Sequence, residues 1–506
     1  MRAISKSLSR YARKCEVGVN RYKKLLSDTF IYGIGTFASK LLVFFLTRLY
    51  TECLTEAEYG KADLITNMAN LLIPLAAAGL CDGIFRFTLD SETDKRSVFT
   101  TGIVMLAATG GIFAVLSPML LLSKYFRSYA WLIIAYVLMS NFHSACAQYI
   151  RACDRTKLFA IQGILNTCLT IAFNLIFFLV LPDSNILNGV YGYVLSIVLA
   201  DLLVGLFLFI YAGLWRDLGL KYFSRPLASS MLKYSVPMIP TAIFWWITNV
   251  SDRYMVTAFR GEAENGLYTA AYKIPTVLTL VTGVFSEAWQ FSAVKTEDPE
   301  ERSKFYTNVF SGFQGLIFVA GSLIIAFAQV FAALLFAKNY FTAWSFIPVL
   351  TLASVFSGFV NFLSSIYLVK KRSVKSFLTA MTGALTNIFL NFLLIPDSLT
   401  LFGFTIPCVG LGALGAALAT AVSYIVVFII RAADTRKMVR FDLGVLRLII
   451  NSLILSAQGA CLMFSHSLVF TVVSQTVGVA AMGLVNFRPL LSTAKGILGA
   501  LKRKKS

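Results

Sequence analysis

Arg48-Leu49-Tyr50-Thr51-Glu52-Cys53-Leu54-Thr55-Glu56-Ala57-Glu58-Tyr59-Gly60 occurs twice in this chain, in outline. The second version opens with Arg253-Tyr254-Met255 and closes with Glu262-Ala263-Glu264-Asn265-Gly266. Each is preceded and followed by an apolar run. The offset persists downstream: Arg96-Ser97-Val98-Phe99 is echoed by Arg302-Ser303-Lys304-Phe305, Trp131 by Trp344, and Arg155 by Arg372. Gly189 and Gly192 are echoed by Gly412 and Gly415. Matches in one order at a slowly drifting offset indicate an internal duplication.

The composition places the duplicated unit in a membrane. Of the 506 residues 57% are hydrophobic and 14% charged, against roughly 25% charged in soluble proteins. Apolar runs long enough to cross roughly 30 Å of hydrocarbon recur throughout. The net charge of +20 then reads as positive charge held in cytoplasmic loops, not as a nucleic-acid signal. The eight Cys lack CxxC spacing and read as small hydrophobes. Two His are too few for a His-rich metal site, and no GxxxxGK[ST] phosphate loop is present. No metal or cofactor is expected.

Fourteen spans are predicted: 29–47, 63–84, 98–121, 129–149, 158–181, 189–211, 234–256, 267–289, 307–328, 343–368, 377–395, 409–430, 446–464 and 468–486. With the N-terminus inside, 36 of the 45 Lys and Arg lie in or beside inside segments, 7 lie outside, and Lys40 and Lys273 remain within spans. One missed span would exchange the sides of every later loop, so this asymmetry supports the count. Six spans per copy is an even number, which makes the copies parallel repeats. The expected organisation is a cytoplasmic basic arm (1–28), an N-lobe of six spans (29–227), a C-lobe of six spans (228–432), and a segment with two further spans and a basic tail (433–506). The last two spans have no repeat partner, so the twelve-span core is expected to fold without them. The connection 212–233 is the candidate hinge, and both termini are expected in the cytoplasm. Pro74, Pro118, Pro237, Pro240, Pro275 and Pro348 interrupt spans. The backbone groups they free are tolerated only against protein or a water-filled cavity.

Ionisable residues within spans are costly and usually face the bundle interior. Lys40, Asp201 and Lys273 are the clear cases; Asp82 and Asp252 lie near span ends. Lys40 shares a helical face with Thr36 and Ser39, and Arg48 ends the same helix. Asn249, Asp252 and Arg253 occupy the corresponding stretch of the second copy. Lys40 and Lys273, helped by Arg48 and Arg253, are therefore the candidates for binding an anionic headgroup in a water-filled cavity. Structural readings stand beside this one: Lys40 paired with Asp82, Lys273 with Asp252, Arg48 as an interfacial anchor, Asp201 as a packing partner. Asp82, Asp201 and Asp252 are the candidates for an ion site or for charge partners.

Twelve core spans in two parallel halves, Arg48-Leu49 followed by Glu58-Tyr59-Gly60 after the first, and Gly410-x-Gly412-Ala413-x-Gly415-Ala416-Ala417-Leu418-Ala419-Thr420 opening the twelfth resemble the polysaccharide-transporter branch of the multidrug/oligosaccharidyl-lipid/polysaccharide (MOP) exporter superfamily. The resemblance covers roughly residues 25–432. It implies an all-α polytopic membrane protein of about 14 helices: two MATE-like lobes plus a C-terminal hairpin. It also implies a Wzx-type flippase that turns an undecaprenyl-pyrophosphate-linked oligosaccharide over the bacterial cytoplasmic membrane by alternating access, for surface polysaccharide biosynthesis. The implied partners are that lipid-linked substrate, membrane lipids, and the polysaccharide polymerase and glycosyltransferases of the same process. Related drug exporters often carry an acidic cation site in the first span. Here no Asp or Glu lies between Phe30 and Thr47, which disfavours a drug/cation antiporter. Two added spans resemble lipid II flippases, an alternative cargo class. A membrane-embedded polymerase or glycosyltransferase would need carboxylates or His gathered in a sizeable outer loop. The outer carboxylates Glu52, Glu56, Glu58, Glu262 and Glu264 read instead as helix-start chemistry.

Overall fold

A computed structural model describes residues 46–503, apart from 91, 182–188, 296–298, 370–371, 402–403 and 466. The basic arm and residues 29–45 of the predicted first span, Lys40 among them, lie outside the described residues. The described chain is helical except for one antiparallel hairpin, Ser398–Leu401 with Phe404–Pro407, in a predicted outer loop. Among the described residues ten helices are long and apolar enough to cross a membrane, or eleven if the bent pair Glu56–Ala76 and Leu80–Thr88 forms one span. The chain is thus a multi-pass, all-α membrane protein. Helices also occupy the predicted seventh and eighth spans, Ile239–Arg260 and Thr276–Lys295. The first of them carries Asn249, Asp252 and Arg253, which drew attention in the sequence.

Breaks fall where the backbone chemistry demands them. Pro74 lies inside Glu56–Ala76, and the helix then stops at Ala78 and Gly79, both at positive φ. The next helix leaves at an angle of 54°. Pro275 separates Glu262–Lys273 from Thr276–Lys295, so Lys273 ends a helix instead of sitting in the middle of one. Thr55 and Glu58 form a capping box, with Glu58 accepting from the Thr55 amide at 2.9 Å and Thr55 Oγ1 from the Glu58 amide at 3.3 Å. Glu264 accepts from the Ala413 amide at 2.6 Å, at the start of Gly412–Met438. Both carboxylates do helix-start work.

The chain forms two compact units. One includes Met68–Ile239. Its core gathers Leu80, Ile84, Val98, Phe99, Val204 and Met231. Met231 belongs to helix Arg225–Ser235, which buries Ala228, Met231 and Ser235, so part of the expected hinge is a helix packed into this unit. The other unit joins Thr47–Asn67 to Pro240 and the chain beyond it. Stacked and edge-on rings of Phe310, Phe313, Phe359 and Phe362 fill its interior.

The C-terminal helices Val445–Phe464 and Leu468–Arg503 pack on Pro299–Ala326 through buried amides. Gln458 Oε1 accepts from Ser322 at 2.8 Å. Asn451 and Asn486 exchange reciprocal hydrogen bonds of 3.1 and 2.9 Å. The hairpin belongs to the second unit, held to it by Gln458 and closed on itself by the Asn451–Asn486 pair.

Candidate functional site

Four charged side chains converge in the second unit. Asp63 comes from Glu56–Ala76, Asp252 and Arg253 from Ile239–Arg260, and Lys273 from the end of Glu262–Lys273. Two hydrogen bonds hold the first two helices in register: Trp246 Nε1 donates to the Asn67 carbonyl at 2.7 Å, and Tyr254 OH to the Leu64 carbonyl at 2.9 Å. The Arg253 guanidinium lies 5.0 Å from the ring centre of Tyr272, a cation–π contact.

Asp252 and Asp63 play different parts. Asp252 is 4% exposed and well satisfied. It accepts from Tyr268 OH at 2.6 Å, from the Arg253 amide at 2.9 Å and from Thr420 Oγ1 at 3.4 Å. A polar chain continues through Asn387 and Asn391: Asn387 Nδ2 donates to Thr420 Oγ1 at 3.2 Å, and Asn391 Nδ2 to Asn387 Oδ1 at 2.9 Å. Asp63 Oδ2 stands 3.4 Å from Arg253 Nε, yet neither atom has a hydrogen-bond partner among the described residues. Their contact is an ion pair without a hydrogen bond. Asp63 is also the acidic group that acts on half-buried Lys273.

Of the predicted site residues, Arg253 and Lys273 come together. The structure gives Asp252 to Tyr268 and Thr420, with Asp63 as the acid acting on Lys273. Arg48 lies elsewhere. Its guanidinium donates to Glu52 at 2.6 Å and to the Phe336 carbonyl at 2.7 Å, at the end of helix Ala328–Leu335. Asp82 is exposed in the first turn of Leu80–Thr88. Asp201 is buried in the first unit against His143. Asp63 was missed by the sequence reading. It sits one turn after the Glu-Tyr-Gly motif, where it looks like loop-side charge, and its repeat counterpart is uncharged. Among the described residues no group of three or more His, Cys, Asp or Glu is placed to hold a metal ion.

Two cations and two carboxylates leave this cluster electrically balanced. What it can do chemically is exchange partners. The Arg253 Nε–H can leave Asp63 for a phosphate-type oxyanion, and the Lys273 ammonium stands near enough to join it; charge-assisted hydrogen bonds to such an anion are short and strong.

The comparisons agree with this architecture. In the inward closed conformation, the lipid II flippase MurJ matches with a TM-score of 0.60 at 14% identity, over 91% of this chain and 100% of that one. An inward-facing multidrug resistance MATE family transporter of the MOP superfamily matches at 0.62 and 15% identity, over 81% and 95%. A MOP superfamily transporter from Pyrococcus furiosus, whose binding pocket is described as of reverse polarity, matches at 0.58 and 15% identity, over 81% and 95%. At these identities the likeness is one of fold. A comparison with curated proteins returned no match. The family model described as polysaccharide biosynthesis protein matches residues 25–289, and that span covers both copies of the duplicated motif. The chain belongs to the polysaccharide biosynthesis protein family and has the MOP transporter fold.

Proposed function

We propose that this protein is a flippase that moves an undecaprenyl-pyrophosphate-linked oligosaccharide across the bacterial cytoplasmic membrane by alternating access. The observation that carries the reading is the Arg253–Lys273 pair, gathered beside Asp63 within a helical membrane unit. A membrane-embedded cation costs roughly 2.5–3.5 kcal/mol on insertion scales unless it meets water or a partner. Asp63 would offset that cost between turnovers, and the pyrophosphate would displace it on loading. Arg253 offers a planar fork of donors and Lys273 a compact point charge, a combination suited to two linked phosphates. Lys40 is the proposed contribution of the first span. Membership of a polysaccharide biosynthesis family supports a sugar-bearing cargo. Polymerase and glycosyltransferases of the same process are the proposed partners.

The test is reconstitution into liposomes with undecaprenyl-pyrophosphate oligosaccharide and an assay of leaflet accessibility. Lys273→Gln and Arg253→Gln should abolish exchange at unchanged protein level, and Lys273→Arg should keep part of it. Full exchange by the Lys273→Gln, Arg253→Gln double variant would overturn the cationic site.

One observation favours a second cargo. The likeness to the lipid II flippase extends over 91% of this chain, beyond the 81% shared with the MATE transporter. A lipid II-type precursor carries the same pyrophosphate, so the same assay run with lipid II separates the two cargoes.

A further inference from the structure

The first unit contains a buried polar cluster that cargo binding in the second unit does not use. Asp201, on Gly189–Tyr211, is 6% exposed. Its Oδ1 accepts from Asn166 Nδ2 at 3.1 Å and faces His143 Nδ1 at 3.0 Å. Its Oδ2 accepts from the Ser140 hydroxyl. On the far side of the imidazole, His143 Nε2 lies 2.7 Å from Gln162 Oε1. Three helices thus contribute: Ala130–Ala152, Thr156–Leu175 and Gly189–Tyr211.

The partners define the chemistry. Both ring nitrogens of His143 face oxygen acceptors, a carboxylate and an amide carbonyl. Only the imidazolium places a proton on each nitrogen. Neutral imidazole would leave one nitrogen lone pair against an oxygen, until the Gln162 amide turned to present its NH2. The amide is therefore a two-position element whose better position depends on a single proton. The other titratable groups facing the pair are few. Tyr136, from the same helix as His143, lies within electrostatic reach of Asp201 and of Tyr193. Helix Leu80–Thr88 presents Cys81, whose thiol lies against the Asn141 carbonyl, and the exposed Asp82. Among the described residues His143 is the sole ion-pair partner of Asp201.

We infer that His143 and Asp201 form a proton-binding site, with Gln162 as its positional reporter. On the transport reading above, its occupancy couples a proton to the conformational cycle. Binding is a simple protonation of Nε2, and release returns that proton to water while the Gln162 amide rotates.

The chain has only two His, so the site can be observed directly. Full-length His466→Gln protein, labelled with 15N-histidine and held in nanodiscs, shows one imidazole by NMR. The expected result is a reversible change between imidazolium and neutral imidazole inside pH 5–9. Asp201→Asn should move the midpoint down by about 1 pH unit or more, because the carboxylate is what favours the charged ring. Gln162→Leu should also move it, while Cys168→Ala, a substitution at an exposed position of the same helix, should not. An imidazole that stays in one form across pH 5–9, or that ignores Asp201→Asn, overturns the site. Coupling is read separately, as the dependence of lipid-linked oligosaccharide exchange on an imposed pH gradient. The site's role in transport is rejected if His143→Gln retains the full gradient dependence. If no such cargo is exchanged while the NMR titration stands, the cargo reading fails and the proton site does not.

Discussion

Gly60 and Gly266 cross back to back. A Cβ on Gly60 would strike the carbonyl oxygen of Glu262, and a Cβ on Gly266 the carbonyl oxygen of Glu56. These are corresponding positions of the two copies of one motif, so the crossing repeats its own contact about a local twofold. Asn265 adds a hydrogen bond to the Gly60 carbonyl at 3.1 Å, and Lys61 pairs with Glu262 at 3.0 Å. Neither helix backbone can retreat without losing these contacts.

Gly60→Ala and Gly266→Ala should each destabilise the protein, by about 1–3 kcal/mol as in other overpacked contacts. The two effects should fall short of additive, since either methyl already parts the same helices. Thermal unfolding in detergent checks this, with Gly111→Ala as the control, because nothing lies within 4 Å of its added carbon.

Arg48 should behave as a structural clamp. Its bonds to Glu52 and to the carbonyls of Ala333 and Phe336 close the end of a helix. Arg48→Gln should lower thermal stability by about 1 kcal/mol while cargo exchange per folded molecule stays near normal. Lys273→Gln should show the reverse pattern. A loss of exchange in Arg48→Gln at full stability would return Arg48 to the cargo site.

The Asn451–Asn486 pair should show compensation. Either residue changed to Leu leaves a buried amide facing hydrocarbon, whereas the double Leu variant removes both. The singles should cost about 0.6–2 kcal/mol, and the double less than their sum. Strict additivity in steric-trap or thermal unfolding would mean that the two amides do not depend on each other.

Asp94 caps helix Lys95–Leu116, accepting from the Arg96 and Ser97 amides. Its hydrogen bonds with Ser97 hold the carboxyl below the ordinary range. A folded-state value depressed in this way stabilises above the unfolded value of about 3.9 and is lost as pH falls through the folded value. Asp94→Ala should therefore cost about 1 kcal/mol at neutral pH, and its difference from the parent should vanish in acid.

Topology can be tested with the natural thiols. Cys53 should react from outside and Cys15, which lies outside the described residues, from inside. Impermeant labelling of single-Cys variants in intact cells would reverse the orientation if Cys15 reacted and Cys53 stayed silent.

The sequence by itself determined the class of this protein. Apolar runs of spanning length leave the backbone no choice but helix in hydrocarbon, and the doubled Glu-Ala-Glu-x-Gly motif disclosed a repeat because its glycines sit where two backbones touch. It also singled out Arg253 and Lys273, since a charge inside an apolar run is conspicuous without any structure. Tertiary structure alone decided the partners. Asp63 lies far along the chain from Arg253, and only the packing of two helices reveals their contact. Asp252, weighed as a partner of Lys273, takes its side-chain hydrogen bonds from Tyr268 and Thr420 on two other helices. His143 carried no sequence signal at all. A single imidazole acquires meaning only when a carboxylate and an amide from two neighbouring helices close on its two nitrogens, because hydrogen bonds depend on distance and direction and not on order along the chain.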